Sequence, residues 1–294
     1  MAHVIVTGGA GFIGHHLVNL LLKEGHSIEV WDDLSTGKLE NIPNHPKCTF
    51  KKVNLSIDQL PESTKADWVF HLAAPVSVQE SLENPYKYEQ GCFMSTRRML
   101  NWSIAAGVTD FTLASTAAVY GDREDAPFEE DSELNPMSPY ATWKLNAEHL
   151  LKNYNDRFDI RTTALRFFNV FGEGQHDSGS YAPAVALFLK QFEAFQPITI
   201  TGDGQQTRDY IYVKDICRAL YGSVLHPWRD FRIMNVGTGE ETSILEIAKA
   251  FGGEYTFIDP RVEPRRSCAN IDVIQKNLRW DSTKSILSWI KEVK

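Results

Sequence analysis

Positive charge is in short supply in this chain. Its 294 residues carry 30 Lys and Arg against 38 Asp and Glu, a formal net charge of −8. Nucleic acids and anionic membranes are polyanions, so an acidic balance excludes a general binder of either and leaves open only local arginine sites for phosphate. Cysteine is sparse as well. Cys48, Cys92, Cys217 and Cys268 are scattered, with the spacing of neither a zinc site nor a disulfide framework, so no metal is expected. No apolar run approaches the roughly 20 residues that span a bilayer. A leader pattern is also missing, since the first residues read directly as a strand, and a reducing cytoplasm is the expected location. Internal repeats and low-complexity tracts are absent. What remains is a chain able to bury a large core, long for one domain and expected to form two lobes.

The first sixteen residues organise the rest. Ala2 to Val6 reads as a short buried strand. Thr7-Gly8-Gly9-Ala10-Gly11-Phe12-Ile13-Gly14 follows, and Leu17, Val18, Leu20, Leu21 and Leu22 form the apolar stripe of a helix. Gly8 permits a tight turn, Gly11 lets backbone approach phosphates, and Gly14 lets helix pack close to strand. The helix N-terminus then offers N–H groups and a positive dipole end to a dinucleotide pyrophosphate. A second strand, Ser27 to Trp31, ends on Asp32-Asp33, 18 residues beyond Gly14 for the first acid. An acid there accepts hydrogen bonds from the adenosine ribose, and two carboxylates repel a 2′-phosphate, which favours NAD over NADP.

Strand and helix patterns alternate through the first half. Strands are expected at 67–71, 111–114 and 161–165, and helices at 86–106, closed by Gly107, and at 140–157. Repeated βα units imply a doubly wound parallel sheet of the Rossmann type. After about Phe167 the texture changes to a smaller, interleaved α/β lobe. Helices are expected there at 181–195, 213–225, 243–251 and 281–292, with a strand at 231–235 returning to the first sheet. The expected division is 1–166 with about 211–236 in the dinucleotide lobe, and 167–210 with 237–294 in the second.

Tyr140 and Lys144 stand four residues apart, hence on one face of a helix that Ser138 can cap and Pro139 can start. An ammonium beside a phenol favours phenolate, so Tyr140 is expected to act as a base below its ordinary pKa. The spacing alone is weak evidence, because Tyr210 and Lys214 repeat it, but that pair reads as a strand running into a helix start. Tyr140 is favoured by the strand at 111–114, past whose C-terminal end Ser115 and Thr116 present hydroxyls where such sheets bind ligands. His71, at a strand end, reads as a structural histidine.

On these motifs the chain resembles the extended short-chain dehydrogenase/reductase superfamily, in its NAD-dependent sugar-nucleotide epimerase/dehydratase branch. The likeness rests on T-G-G-A-G-F-I-G at 7–14, D-D-L-S-T-G at 32–37, H-L-A-A at 71–74 and S-T-A-A-V-Y-G at 115–121. It continues through Y-A-T-W-K at 140–144, R-F-F-N-V-F-G at 166–172, G-D-G-Q-Q-T-R-D-Y-I-Y-V-K-D at 202–215 and N-V-G-T-G at 235–239. The resemblance implies Tyr140 as acid/base, Lys144 as its tuner and Thr116 as the bridging hydroxyl. To Gly8, Gly11, Gly14, Asp32 and Asp33 it adds Phe12, Ile13, Asn54, Leu55, Leu72, Ala73 and Ala74 as contacts to NAD, joined by Tyr140 and Lys144. It also implies a homodimer formed through the helices near 86–106 and 140–157. Cys92 stands where the family often has Asn.

Within the branch, dehydratases resemble one another in carrying Thr-Asp-Glu before Val-Tyr-Gly, the extra acid and base that eliminate water. Here Ala117 and Ala118 stand at the latter two positions, and alanine moves no protons. The resemblance therefore implies 4-epimerisation of a nucleotide-sugar, a UDP-hexose first, through a keto-sugar that is re-reduced on its other face. A dehydratase, a decarboxylase, a keto-sugar reductase and a nucleotide-sensing protein are the alternatives. Asn169, Arg208, Tyr210 and Arg261 match substrate contacts, with Arg265 as the substitute for Arg261. Ser267 matches the position that gates the sugar's C2 substituent, where serine leaves room for an N-acetyl group.

Overall fold

Strands that read as continuous apolar runs are those buried on both faces, and the first unit of the structure is built on them. The computed structural model describes residues 1–62, 65–175, 183–226, 228–260 and 263–294. In it β1 (His3–Thr7), β2 (Ser27–Asp32), β3 (Cys48–Lys52), β4 (Trp68–His71), β5 (Asp110–Thr116) and β6 (Arg161–Phe167) share one sheet with a seventh strand, Arg232–Val236. The spatial order is β3-β2-β1-β4-β5-β6, then Arg232–Val236. The pairs β1–β2, β2–β3, β1–β4 and β4–β5 are parallel. The strand order reverses between β1 and β4, the switch point at which open α/β sheets bind ligands. The expected Rossmann-type sheet is thus present, with β3, an edge strand of mixed polarity (C-T-F-K-K), as an addition the periodicity did not announce.

Helices α1 (Phe12–Lys23), α2 (Val78–Glu83), α3 (Pro85–Tyr88), α4 (Ser95–Ala106) and α5 (Pro139–Arg157) accompany these strands. Ile5, Val69, Phe111 and Leu113 of the sheet pack with Met99 and Leu100 of α4 and Ala147 and Leu151 of α5. Fully burying one such large side chain stabilises by roughly 1.5–3 kcal/mol, so these contacts hold α4 and α5 to the sheet. Gly107 closes α4 at φ 69°, as expected. Where the sequence reads one unbroken helix from 86, residues Glu89–Met94 form a π-helical stretch. Pro75 crowds it: a Cβ on Gly91 would lie 2.4 Å from the Pro75 ring. Ser115 and Thr116, expected just past a strand, are instead the last two residues of β5.

The chain divides into two compact units. The first comprises Met1–Val119, Pro136–Arg166 and Cys217–Met234, and the second Tyr120–Asn135, Phe167–Ile216 and Asn235–Lys294. Residues 120–135 were expected with the first lobe, but polar anchors bind them into the second. Tyr120 Oη donates to Asn235 Oδ1 at 2.6 Å, and Phe128 N donates to the Cys268 carbonyl at 2.8 Å. Residues 211–216 also belong there, where Trp280 Nε1 donates to the Asp215 carbonyl.

The second unit is made of short strand pairs. Asn169–Phe171 runs parallel to Tyr210–Tyr212, Ile198–Thr201 runs parallel to Tyr255–Ile258, and Thr207–Arg208 runs antiparallel to Thr242–Ser243. Ser243 and Glu246 form a capping box at the start of helix Ile244–Phe251. The helix expected over 181–195 spans Ala184–Glu193, and residues 181 and 182 lie outside the described residues. The helix expected from 281 begins only at Ile286, because Thr283 is drawn off by Asp215 and Ser285 is the cap. Among the described residues, no helix is long and apolar enough to cross a membrane.

Candidate active site

Backbone pressed against backbone defines the glycine turn. Gly8 adopts φ 70°, and a Cβ on it would lie 2.8 Å from Ala73 N, in the Leu72–Ala73–Ala74 turn that follows β4. On Gly14 a Cβ would lie 2.1 Å from the Gly8 carbonyl oxygen. Gly11 caps α1 without a side-chain hydrogen bond, so the first-turn N–H groups, including those of Phe12 and Ile13, keep the positive end of the helix available.

Asp32 ends β2. Its Oδ2 accepts from Ala10 N at 3.0 Å and its Oδ1 from Leu34 N at 2.8 Å, while burial raises its pKa against those bonds. Asp33 accepts from Ser35 N and, at 3.0 Å, from Asn54 Nδ2, which draws Asn54 to the acid pair; Leu55 is buried beside it. A cradle that a Cβ would fill, an uncapped helix start and an oriented carboxylate at the end of β2 fit a dinucleotide.

Three side chains meet at the end of β5. Tyr140 and Lys144 are 8% and 3% exposed on one face of α5. Ser138 Oγ accepts from Ala141 N and Pro139 fills the first turn, which starts the helix where the sequence places it. Lys144 Nζ donates to the Ala114 carbonyl at 2.8 Å. Thr116 lies near enough to the Tyr140 phenol to favour its ionised form, and its hydroxyl accepts from Ala118 N at 3.1 Å.

The electrostatics depart from expectation. Burial pushes the Tyr140 phenol up, Cys92 adds to this, and nearby Thr116 only partly opposes it. Burial also lowers Lys144, with Cys92 and Glu148 opposing. A phenol poised below its ordinary pKa is therefore not a property of the chain by itself; desolvation outweighs the ammonium, whose hydrogen bond goes to a carbonyl. Cys92 packs with Tyr88 and Tyr140, bordered by Ala74, and burial raises its thiol to about 11, so it is neutral.

His71 is structural, as read. The Thr7 hydroxyl accepts from Ala73 N and so donates to His71 Nδ1 at 2.8 Å; His71 Nε2 then donates to Thr96 Oγ1 at 3.1 Å, whose hydroxyl donates to the Cys92 carbonyl. This chain of bonds ties β1, β4 and the π-helical stretch together.

In the second unit, Arg208 is 7% exposed and donates from Nη2 to Glu263 Oε2 at 2.7 Å and from Nη1 to the Thr207 carbonyl. Gln206 Nε2 donates to Glu263 Oε1 at 3.3 Å. Asn169 is exposed at the start of its strand. Tyr210 is buried in strand Tyr210–Tyr212, and Lys214 lies beyond it in a helix, so these two do not share a helical face. Ser267 is half-buried, its carbonyl accepting from Asp209 N at 2.7 Å. Arg265 is an exposed partner of Asp203. Arg261 lies outside the described residues.

Sequence reasoning missed Asp209. Wholly buried, it accepts from Thr238 N, Thr238 Oγ1, Gly239 N and Ala269 N. A Cβ on Gly237 would lie 2.5 Å from it. The signal was present in the R-D-Y and N-V-G-T-G motifs, but their partnership is a tertiary contact.

Sheet order, glycine turn and the Tyr140–Lys144–Thr116 cluster define an α/β enzyme of the dinucleotide-dependent dehydrogenase kind. The chain belongs to the NAD dependent epimerase/dehydratase family, whose model matches residues 4–237. It is 34% identical over 297 residues to a UDP-glucose 4-epimerase of Mycolicibacterium smegmatis, covering 98% of this chain and 93% of that one. Among solved structures it is similar to a UDP-glucose 4-epimerase of Thermotoga maritima with UDP-glucose, at TM-score 0.91 and 30% identity over 98% of this chain and 96% of that one. It is also similar to a UDP-N-acetylglucosamine 4-epimerase of Methanobrevibacter ruminantium in complex with UDP-N-acetylmuramic acid, at TM-score 0.92 and 30% identity over 99% and 96%.

Proposed function

We propose that the protein is an NAD-dependent UDP-sugar 4-epimerase. The observation that carries this reading is the acid/base cluster at the end of β5, followed by Ala117 and Ala118. Tyr140 can move one proton, and neither alanine can serve an elimination. The relatives' activities support the same choice.

NAD, when bound, supplies the hydride acceptor and donor. Tyr140 takes the proton of the C4 hydroxyl and returns it after the sugar has turned. Thr116 holds that hydroxyl in line with the phenol, and Lys144 supplies positive charge against which the phenolate forms. Gly8, Gly11 and Gly14 with Phe12 and Ile13 take the pyrophosphate. Asp32, Asp33, Asn54 and Leu55 take the adenosine end, and Leu72, Ala73 and Ala74 line the path between. Asn169, Arg208, Tyr210 and Arg261 are assigned to the nucleotide-sugar, the arginines as forks for its diphosphate. Ser267 is assigned to the C2 substituent, with room for N-acetyl sugars. A cytoplasmic homodimer is the expected state.

The test is purified protein with UDP-, dTDP- and GDP-hexoses, including UDP-N-acetylglucosamine, no cofactor added, followed by proton NMR. Interconversion at C4 without net redox is expected, and Tyr140→Phe should abolish it while NAD stays bound. Full activity in that variant would overturn the assignment, and complete exclusion of the N-acetyl sugar would remove the role of Ser267.

A further inference from the structure

The most completely buried ion pair described lies one helical turn from Lys144. Tyr140, Lys144 and Glu148 follow one another at four-residue intervals on α5. Two of them are tied to the end of β5, Lys144 to the Ala114 carbonyl and Glu148 Oε1 to the Ser115 hydroxyl, which donates to it, while Tyr140 lies near Thr116, the next residue. The strand end that carries the bridging hydroxyl is thus held by α5 at the two residues that precede it.

Glu148 alone could not do this at no cost. A carboxylate in a dry interior is unfavourable unless paired, and one turn below Lys144 its charge would draw the ammonium toward itself and oppose phenolate formation. Arg166, on β6, meets both problems. Its Nε donates to Glu148 Oε1 at 3.0 Å and its Nη2 to Oε2 at 2.7 Å, and both side chains are 1% exposed. This is the two-pronged geometry in which arginine binds carboxylate best.

We infer that Glu148 and Arg166 form a positioning pair for the acid/base site: Glu148 fixes the end of β5 through Ser115, and Arg166 cancels its charge so that the field of Lys144 is left for Tyr140. The inference rests on Tyr140 being the acid/base. Among the described residues, three further titratable groups close to Tyr140 and Lys144 are neutral: His71 from β4, Cys92 from the π-helical stretch, and Tyr88 of α3, which meets the Tyr140 ring edge-on at 6.1 Å. Glu148, Arg166 and Lys144 therefore contribute opposing charges to the local field.

The test is the pH dependence of kcat in the NAD-loaded enzyme, whose acid limb reports protonation of the base. Glu148→Gln removes a negative charge and should move that limb to lower pH by about half a unit or more; Arg166→Met removes a positive charge and should move it up by a similar amount. Arg166→Lys keeps the charge and should hold the limb near its original position. A merely structural pair would cost both single variants stability without moving the limb in opposite senses, so shifts of one sign, or none, overturn the inference.

Should a charge variant fail to fold, Ser115→Ala decides, since it removes one rung and no charge. Its kcat should fall about tenfold with KM for the UDP-sugar and the acid limb unchanged; an unchanged kcat overturns the inference. Tyr140→Phe separates the two claims: if that variant stays active the acid/base reading fails, whereas an inactive Tyr140→Phe without opposite shifts refutes the pair alone.

Discussion

His71 is wholly buried between two threonine hydroxyls, and burial, reinforced by the Lys144 charge, holds its pKa at about 3 against an ordinary 6.5. The unfolded chain takes up a proton near pH 6.5 that the folded chain refuses until about pH 3, so this residue's contribution to stability declines as pH falls through that window. By pH 5 the loss amounts to about 2 kcal/mol. Thermal unfolding of wild type and His71→Gln across pH 7 to 4.5 isolates it. The variant should be less stable at pH 7 by roughly 1–3 kcal/mol, for a lost buried network, and the gap should close on acidification. A gap independent of pH would contradict the neutral imidazole. That His71 is structural could be read from its place at the end of an apolar strand; which hydroxyls hold it could not, since Thr7 and Thr96 are distant in the chain. For the same reason Asp209, flanked by two residues that were noticed, went unread.

At the scale of elements, the β1–α1 junction depends on atoms that are missing. Gly14→Ala would set a methyl 2.1 Å from the Gly8 carbonyl oxygen, and both are backbone-held, so helix or turn must shift. The expected result is a loss of about 1–3 kcal/mol of stability and a larger proportional loss of NAD affinity, measurable by calorimetry. Gly107→Ala, where a Cβ would meet nothing within 4 Å but the backbone sits at φ 69°, is the control: a cost in stability from backbone strain with NAD affinity intact. The periodicities of α1, α4 and α5 were legible because each buries one stripe against the sheet. The π-helical stretch was not legible; it lies where Gly91 closely approaches Pro75, a contact that local periodicity does not report.

For the whole molecule, exposed apolar side chains gather in one stretch of the first unit: Val76, Val78, Leu82 and Tyr86 are 46–72% exposed on and around α2 and α3. This stretch runs into the helices near 86–106, which with those near 140–157 are the surface expected to join a second copy. Sedimentation at micromolar concentration should give a dimer, and a monomer at all working concentrations would exclude it. Bound NAD should raise the unfolding temperature in proportion to the logarithm of its concentration. The amino-acid sequence by itself determined the sheet class, the glycine turn, the acid pair at the end of β2 and the Tyr140–Lys144 face, because each depends on residues close together in the chain. Only the tertiary structure decided which residues surround them: the burial that raises Tyr140 above its ordinary pKa, the carbonyl that takes the Lys144 ammonium, the Glu148–Arg166 pair and the loops gathered by Asp209. Those effects arise from desolvation and from hydrogen bonds between segments far apart along the chain, and no local pattern of residue types encodes them.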